Sequence, residues 1–229
     1  MKNTEIEKLN DEYLNKTPQE ILKKALEGFD NIALACSYGP EDVALYDMIV
    51  KIKPDAKIFY LDTGFLFDET YGLIEKMKEK YGNGDHIEKY ENEELSVEEQ
   101  KEKYGDKLWE KDPEKCCNLR KIIPLENALS NLDAWITGIR REQSPTRAEA
   151  GVFENDEKFN LVKVNPLALW KQKNVWNYIK ENDVPYNPLH DKNYPSIGCE
   201  PCTNPVKEGE DFRAGRWKGF KKTECGLHK

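Results

Sequence analysis

Four of the six cysteines in this chain form two pairs, and these pairs carry its clearest chemistry. Cys116 and Cys117 are adjacent, and adjacent cysteines rarely form a relaxed disulfide because the small ring distorts the peptide. Cys199 and Cys202 have the C-x-x-C spacing that commonly places two thiolates on one metal centre. Because four thiolates can hold zinc or an iron–sulfur cluster, the sequence predicts a four-cysteine metal site.

Basic residues surround the adjacent pair, namely Lys115, Arg120 and Lys121. A [4Fe–4S] cluster bound by four thiolates carries a net negative charge, and nearby cations offset that charge. We therefore favour a [4Fe–4S] cluster over zinc as the occupant. Zinc stays open as an alternative, and so do four unrelated buried thiols, since buried cysteine is common.

The composition is that of a soluble protein with a polar surface, because 38% of the 229 residues are hydrophobic and 34% are charged. The net charge of −8 argues against general binding to nucleic acid or to a membrane surface. Residues 1–7 lack the apolar segment of a signal peptide, and no apolar run reaches membrane-spanning length. We expect a cytoplasmic, reducing setting, where six cysteines indicate metal or redox chemistry.

Short apolar runs alternate with helical patterns along the middle of the chain. The runs cover residues 31–36, 57–62, 87–90, 134–139 and 161–164. Strands that alternate with helices are typical of a doubly wound, mostly parallel sheet, so we predict an α/β fold. Cys36 is predicted to be a core residue of the first strand.

Helix signals lie on either side of these runs. Thr17-Pro18-Gln19-Glu20 is a capping box with proline at the first helical position, and it predicts a helical N-terminal arm. A helix is also predicted over residues 68–80. We expect residues 91–104 to form a solvated helix face, and the adjacent cysteines to open a helix that Pro124 interrupts.

These patterns predict one domain over residues 1–229. It would comprise a helical arm at 1–30, an α/β core at 31–184, and a region at 185–229 that completes the metal site and ends in a flexible tail. The last region is rich in proline, glycine and charge, which favours a functional appendage over a second core.

Two strand ends are candidates for binding a nucleotide. The loop from Ser37 to Asp42 follows the first strand, where backbone N–H groups at a helix start, with Ser37 and Gly39, can hold an anion. At Leu61-Asp62-Thr63-Gly64, Gly64 would let the backbone approach a base or ribose closely. An ordinary strand–helix turn with a serine cap, and a strand-ending turn, are the respective alternatives.

The Ser37 loop resembles the SGGxDS pyrophosphatase loop of ATP-cleaving adenylating enzymes, although Tyr38 and Pro40 break the glycine-rich run. This departure favours a nucleotide that has no β,γ-diphosphate.

Two arginine-bearing segments are candidates for binding phosphate or sulfate, which guanidinium groups recognise bidentately. One follows a central strand at residues 137–147 and contains Gly138, Arg140 and Arg147. The other, at 208–219, contains Arg213, Arg216 and Trp217. Solvated surface loops are the alternative for both.

The tail carries a cysteine in basic surroundings. Cys225 lies close in sequence to His228 and to three lysines, at 221, 222 and 229. Cations lower the pKa of a thiol and raise its thiolate fraction at neutral pH. Cys225 is thus a candidate nucleophile, with an incidental tail thiol as the alternative.

Together, these segments resemble the assimilatory adenylyl-sulfate reductases within the phosphoadenylyl-sulfate reductase family. The matching segments run from about residue 31 to the C-terminus, and the most specific are the cysteine pairs and Glu224-Cys225-Gly226-Leu227-His228. The resemblance implies an adenine nucleotide alpha hydrolase-like fold. It also implies that Cys116, Cys117, Cys199 and Cys202 ligate one [4Fe–4S] cluster.

The resemblance implies that Cys225 attacks the sulfur of adenosine 5′-phosphosulfate (APS), and that thioredoxin or glutaredoxin then releases sulfite. A homo-oligomer is compatible with the sequence. The residues that we expect to bind substrate are Ser37, Gly39, Asp42, Leu61, Thr63, Gly64, Lys121, Gly138, Arg140, Arg147, Arg213, Arg216, Trp217 and His228.

Three other functions stay open at this point. The substrate could be 3′-phosphoadenosine 5′-phosphosulfate (PAPS), or both nucleotides, although the four cysteines favour the unphosphorylated one. A sulfurtransferase or adenylating enzyme on the same fold is disfavoured by the altered Ser37 loop. A zinc-bearing binding module without turnover is the alternative from a different class.

Overall fold

The computed structural model describes residues 3–82, 86–217 and 226. The chain folds into two compact units that are interleaved in sequence. The first comprises residues 1–59, 73–88 and 131–186, and the second comprises residues 60–72, 89–130 and 187–229. The division into arm, core and tail region stays a prediction.

One six-stranded sheet lies in the described residues, in the order β3-β2-β1-β4-β6-β5. The strands are β1 Ile32–Ala35, β2 Lys57–Leu61, β3 Ile87–Tyr90, β4 Ala134–Ile136, β5 Phe153–Asp156 and β6 Leu161–Val164. β1 runs parallel to β2 and β4, β4 runs parallel to β6, and β5 is antiparallel to β6. The predicted α/β fold with a mostly parallel sheet is confirmed.

The α-helices of the described residues lie between and around these strands. They are α1 Asn3–Tyr13, α2 Pro18–Gly28, α3 Pro40–Ile52, α4 Asp68–Tyr81, α5 Val97–Tyr104, α6 Leu108–Lys111, α7 Pro113–Cys117, α8 Ile123–Leu129 and α9 Gln172–Glu181. Short 3-10 turns cover Arg141–Gln143, Pro145–Arg147, Pro188–Lys192 and Glu200–Cys202. In this described part of the chain, no helix combines the length and apolar character needed to cross a bilayer.

The predicted capping box begins α2 as expected. The Thr17 hydroxyl accepts the Glu20 N–H at 3.3 Å, and the Glu20 carboxylate accepts the Thr17 N–H at 2.8 Å. These reciprocal bonds satisfy donors that the first helical turn leaves unpaired. The predicted helices of the N-terminal segment are present as α1 and α2.

The core of the first unit is formed by the central strands and by α3. Leu34, Ile136 and Val164 are fully buried on β1, β4 and β6. On α3, the buried Asp47 carboxylate accepts hydrogen bonds from the hydroxyls of Tyr81 at 2.8 Å and Tyr178 at 2.6 Å. This carboxylate links α3 to α4 and α9, which fixes the helices that flank the sheet.

The structure corrects two predictions around the adjacent cysteines. Cys116 and Cys117 end helix α7, which begins at Pro113 after an Asp112 cap, so they do not open a helix. Pro124 does not interrupt the helical path, because a π-helical turn at Asn118–Ile122 leads directly into α8. The wider turn gives the backbone room for a residue that has no N–H to donate.

Candidate functional site

The four paired cysteines line one cavity of the second unit. Cys116 and Cys117 come from the end of α7, and Cys199 and Cys202 flank the 3-10 turn at Glu200–Cys202. All four side chains are buried. Lys121 and Arg120 line the same cavity, so the fold brings the two distant pairs and two cations together.

The loop that carries Cys199 and Cys202 is held by short backbone bonds. The Glu200 N–H donates to the Phe65 carbonyl at 2.8 Å, and the Thr203 hydroxyl donates to the Cys199 carbonyl at 2.9 Å. The Cys199 thiol lies 3.4 Å from the Thr63 hydroxyl. These bonds fix the backbone that presents both cysteines.

The cavity is unfavourable for free thiolates. Burial, and then the negative charges of the other three paired cysteines, raise the pKa of Cys116 to about 12. Burial and the charge of Cys199 raise the pKa of Cys202 to about 11, against the opposing effect of Lys121. A metal centre that replaces these protons would remove the repulsion between the sulfurs.

A single-ion site is not evident from the spacing of the side chains. Within residues 3–82, 86–217 and 226, no group of three or more His, Cys, Asp or Glu side chains is arranged to hold one metal ion. The donor set of four cysteines in one cavity nevertheless suits a metal–thiolate centre with several metal atoms.

Three aromatic side chains enclose the cysteine cavity. Trp217 is buried against Cys199 and Cys202, and Phe65 and Trp109 pack against this cluster. The rings of Phe65 and Trp109 meet edge to face, with their centroids 5.0 Å apart. Aromatic walls exclude water, which lowers the local dielectric and strengthens every charge interaction inside.

The predicted arginine segment near the C-terminus is bonded to the cysteine loop. The Trp217 N–H donates to the Cys202 carbonyl at 3.0 Å, and Arg216 forms a bridge with Thr203. The guanidinium groups of Arg213 and Arg216 lie 5.5 and 4.6 Å from the centre of the Trp217 ring. The two predicted anion ligands are therefore anchored through the same loop that presents Cys199 and Cys202.

Gly198 permits this packing. A Cβ atom on Gly198 would lie 2.2 Å from Nη2 of Arg216 and 2.6 Å from its Cζ. The guanidinium also donates from Nη1 to Ser196 and to the Ile197 carbonyl, each at 3.1 Å. Its position is thus fixed by the cysteine loop.

The loop after β2 packs against the cysteine loop and against helix α5. Thr63 is buried, and its hydroxyl accepts the Phe65 N–H at 3.1 Å while lying next to Cys199. Gly64 has a φ of 71°, and a Cβ there would lie 2.6 Å from Val97. Glycine is therefore required by the backbone and by helix α5, and Leu61 ends β2 half-buried.

The Ser37 loop lies in the first unit and is internally bonded. Ser37 donates from its N–H and its hydroxyl to the Asp42 carboxylate, at 2.7 and 2.5 Å. Gly39, and not Ser37, caps α3, which starts at Pro40. Burial raises the pKa of Asp42 to about 6, although the Ser37 hydrogen bonds act in the opposite direction.

The arginine loop after β4 is also committed to internal partners. Arg140 is 2% exposed, and its guanidinium pairs with Glu41 at 2.7 Å and with Glu142 at 3.1 Å. Arg147 donates to Gln143 at 2.6 Å. Gly138 lets this loop approach α3 closely, because a Cβ there would lie 2.2 Å from Oδ1 of Asp42.

Two predicted residues, the nucleophile Cys225 and His228, lie outside the described residues.

The sequence profile of the phosphoadenosine phosphosulfate reductase domain matches residues 31–205, which is most of the chain. The chain belongs to this family. The matched range contains the sheet, the Ser37 loop and all four paired cysteines, and it stops before the Arg213–Trp217 segment.

Relatives of this reductase family cover nearly the whole chain. The adenosine 5′-phosphosulfate reductase of Staphylococcus epidermidis is 52% identical over 96% of this chain and 89% of its own length. Adenosine 5′-phosphosulfate reductase 1 of Bacillus subtilis is 52% identical over 87% of this chain and 84% of its own length.

A solved structure of the family has a similar fold. The phosphoadenylyl-sulfate reductase of Candida auris, in a phosphate complex, superposes with a TM-score of 0.80 at 32% identity. The alignment covers 90% of this chain and 98% of that one.

The sequence does not predict several residues in and around the cysteine cavity. Gln100 and Ser96 contact Arg120 from a segment that is predicted to be a solvated helix face. The capping box Ser96–Glu99 is the signal that could locate the start of α5. The burial of Gln100 beside Arg120, and the packing of Phe65 and Trp109 along the cavity, depend on tertiary contacts that a single sequence does not encode locally.

Proposed function

We propose that this protein reduces adenosine 5′-phosphosulfate to sulfite and AMP in assimilatory sulfate reduction. The observation that carries the proposal is the cavity in which two sequence-distant cysteine pairs meet two cations and the anchored Arg216–Trp217 segment. Membership of the reductase family and the names of relatives 52% identical support the same reaction.

APS is preferred over PAPS in this proposal. The relatives named adenosine 5′-phosphosulfate reductase are 49–53% identical to the chain, whereas the Candida auris phosphoadenylyl-sulfate reductase is 32% identical. PAPS reduction, or use of both nucleotides, is the second candidate because that solved relative shares the fold.

The four-cysteine cavity is proposed to hold a [4Fe–4S] cluster through Cys116, Cys117, Cys199 and Cys202. The donor set fits, because four buried thiols line one cavity together with Arg120 and Lys121. When bound, the cluster supplies a fixed charge and a structural tie between α7 and the cysteine loop, and no electron needs to pass through it.

Cys225 is the proposed nucleophile. Its thiolate attacks the sulfur of APS, a sulfur–sulfur bond forms, the bond from sulfur to the phosphate oxygen breaks, and AMP leaves with that oxygen. Because AMP is a good leaving group, the protein mainly has to position the thiolate and offset negative charge.

The second half of the reaction is thiol exchange with thioredoxin or glutaredoxin. One thiolate of the partner attacks the sulfur of Cys225, sulfite leaves, and the second partner thiol resolves the mixed disulfide. The partner supplies two electrons and ends as a disulfide, while Cys225 returns to the thiol. Sulfate sulfur is thereby reduced to sulfite.

The substrate contacts are proposed as the sequence indicates them. They are Ser37, Gly39, Asp42, Leu61, Thr63, Gly64, Lys121, Gly138, Arg140, Arg147, Arg213, Arg216, Trp217 and His228. Lys121, Arg213 and Arg216 are the cations proposed to bind the phosphosulfate. Lys121 lines the cysteine cavity, and the cysteine loop orients the Arg216 guanidinium. Arg140 and Asp42 support their loops through the internal bonds described above.

The proposed compartment is the cytoplasm, whose reducing thiols would regenerate Cys225.

The test is an anaerobic assay of sulfite and AMP from APS with thioredoxin as the donor. The wild type should produce both in equal amounts, and Cys225→Ser should produce neither. Cys36→Ser is the matched control, because Cys36 is a buried thiol of the first unit and should not be needed. Full activity of Cys225→Ser would contradict the proposed chemistry.

The same assay with PAPS separates the two candidate substrates. We expect a higher kcat/KM for APS than for PAPS, and the reverse order would favour the second candidate.

A colourless protein, purified without air and carrying stoichiometric zinc but no turnover, would instead favour a zinc-bearing binding module.

A further inference from the structure

Arg120 is a buried cation whose hydrogen-bond acceptors are neutral. It is 5% exposed. Its Nε donates to Oε1 of Gln100 at 2.8 Å, and its Nη2 donates to the carbonyl oxygen of Ser96 at 2.5 Å. The guanidinium carbon lies 6.0 Å from the centre of the Phe65 ring. These partners accept from two of the guanidinium nitrogens but leave the positive charge in place, and a buried charge is costly unless an opposite charge offsets it.

The opposite charge can arise at the cysteines. Arg120 lines the same cavity as Cys116, Cys117, Cys199 and Cys202. Burial lowers the pKa of Arg120, and negative charge on Cys116, and then on Glu98, Glu91 and Glu99, opposes that shift. When the thiols give up their protons to a metal centre, the cavity itself gains anionic charge beside a guanidinium whose hydrogen-bond acceptors are neutral.

Helix α5 supplies both acceptors that aim this cation. Ser96 caps α5 with its side chain, which accepts the Glu99 N–H at 3.1 Å, while its carbonyl oxygen accepts from Arg120. Gln100 lies four residues later, so it is on the same helix face, and it is only 2% exposed. One helical turn therefore presents two oxygens to one guanidinium.

We propose that Gln100 is a positioning residue for the four-cysteine centre. Together with the Ser96 carbonyl, it holds the Arg120 guanidinium so that its charge offsets that of the metal-bound thiolates. The inference rests on the proposed function only in requiring a metal at the four cysteines. It assigns helix α5, which the sequence marks as a solvated face, to the support of the metal centre.

The test uses substitutions that separate charge, orientation and volume. Arg120→Met removes the charge, and Arg120→Lys keeps the charge without the two-acceptor geometry. Gln100→Met fills a similar volume without an oxygen, and Gln100→Glu keeps the oxygen but neutralises the guanidinium. Lys101→Met is the matched control, because Lys101 is on the same helix and 64% of its side chain is exposed.

The readout is the rate at which an anaerobic chelator removes metal from the purified holoprotein, followed by atomic emission, with the melting temperature as a check on folding. Partners that support metal ligands are typically worth 10–100-fold in metal affinity, so Arg120→Met and Gln100→Glu should lose metal about 10–100-fold faster than the wild type. Gln100→Met and Arg120→Lys should lose metal about tenfold faster than the wild type, and Lys101→Met should lose metal at the wild-type rate.

Gln100→Glu is the decisive variant. If Gln100 only packs or only accepts a hydrogen bond from Arg120, a carboxylate at this position can do the same. Metal release from Gln100→Glu should then equal that of the wild type, which would overturn the inference.

Release is measured without APS, so the two proposals can fail separately. A wild type that makes no sulfite but shows the predicted order of release overturns the function alone. An active wild type whose Gln100 and Arg120 variants all keep metal overturns this inference alone.

Discussion

The two compact units treat buried charge in opposite ways. In the first unit, the buried Arg140 guanidinium pairs with Glu41 at 2.7 Å and with Glu142 at 3.1 Å. In the second unit, the buried Arg120 guanidinium donates to two neutral oxygens, beside thiols whose pKa is raised. The first guanidinium is paired with carboxylates in direct contact. The second shares its cavity with the four paired cysteines, and the charges of Glu98, Glu91 and Glu99 act on it through space.

The buried arginines Arg140 and Arg120 therefore differ in how their charge is stabilised. A buried ion pair that is complete within the protein fixes a loop, and breaking it exposes the cost of an unpaired charge. A buried cation with neutral acceptors, next to four thiols, would be stabilised further if metal-bound thiolates formed there, as proposed above.

The largest effect is expected at the cysteine cavity. Cys199→Ala removes one of four ligands, so the metal content should fall to about a tenth or less of the wild-type value. Atomic emission on protein purified without air measures this content. Cys36→Ala, which removes a buried thiol of the first unit, should keep the full metal content. Equal metal in Cys199→Ala and the wild type would remove Cys199 from the centre.

The next effect concerns the ion pair of the first unit. Glu41→Gln leaves the buried Arg140 guanidinium without its close carboxylate, and such a loss costs about 3 kcal/mol of unfolding free energy. Glu142→Gln is the control on the same guanidinium. Because 52% of the Glu142 side chain is exposed, its loss should cost less than about 1 kcal/mol. Urea unfolding measures both, and equal costs would refute the contrast between buried and exposed partners.

The pH dependence of stability tests Asp42. Burial raises its pKa in the folded state to about 6 from the usual 3.8. Below about pH 4 both states hold the proton, and between about pH 4 and 6 the unfolded chain releases it first, so stability falls as the pH rises. By this linkage the loss is complete above pH 6 and amounts to roughly 3 kcal/mol.

Asp42→Asn should abolish this component. Its unfolding free energy relative to the wild type should rise between pH 4 and pH 6 and stay constant above, as followed by urea unfolding at each pH. A relative stability that is flat across this range, or that falls, would show that the carboxyl is not raised in the folded protein.

The smallest effect is expected at Gly138. A Cβ there would lie 2.2 Å from Oδ1 of Asp42 and 2.8 Å from Cβ of Glu41, so the loop and α3 must move apart. Gly138→Ala should cost about 1–2 kcal/mol of unfolding free energy, as overpacking does. Gly28→Ala, at the end of α2 where nothing lies within 4 Å of the added atom, should cost nothing. A thermal melt compares the two, and equal melting temperatures would contradict the close approach at Gly138.

The sequence predicts the parallel strands because their apolar runs are short, buried and bounded by turns. The helical arm follows from a capping box that is local in sequence. The sequence does not predict strand β5, because Phe153-Glu154-Asn155-Asp156 is mostly polar and contains no apolar run. Its strand form depends on pairing with β6, which is a tertiary effect.

For the site, residue type and spacing identify the four cysteines, but not what surrounds them. The contact of Thr63 with Cys199 and the burial of Gln100 beside Arg120 join segments far apart in the chain. The internal pairing of Arg140 is equally hidden, because Glu41 lies 99 residues away from it. No local pattern encodes such contacts, so the sequence identifies the paired cysteines and the structure identifies the residues that contact them.

The most direct measurement is to trap the covalent intermediate on the metal-loaded protein. The protein is incubated without reductant with APS labelled at its sulfur, and the label is mapped to a peptide after proteolysis. We expect stoichiometric label on the peptide that contains Cys225, and we expect thioredoxin to release that label as sulfite. Label that persists in Cys225→Ser, or that maps to another cysteine, would contradict this expectation.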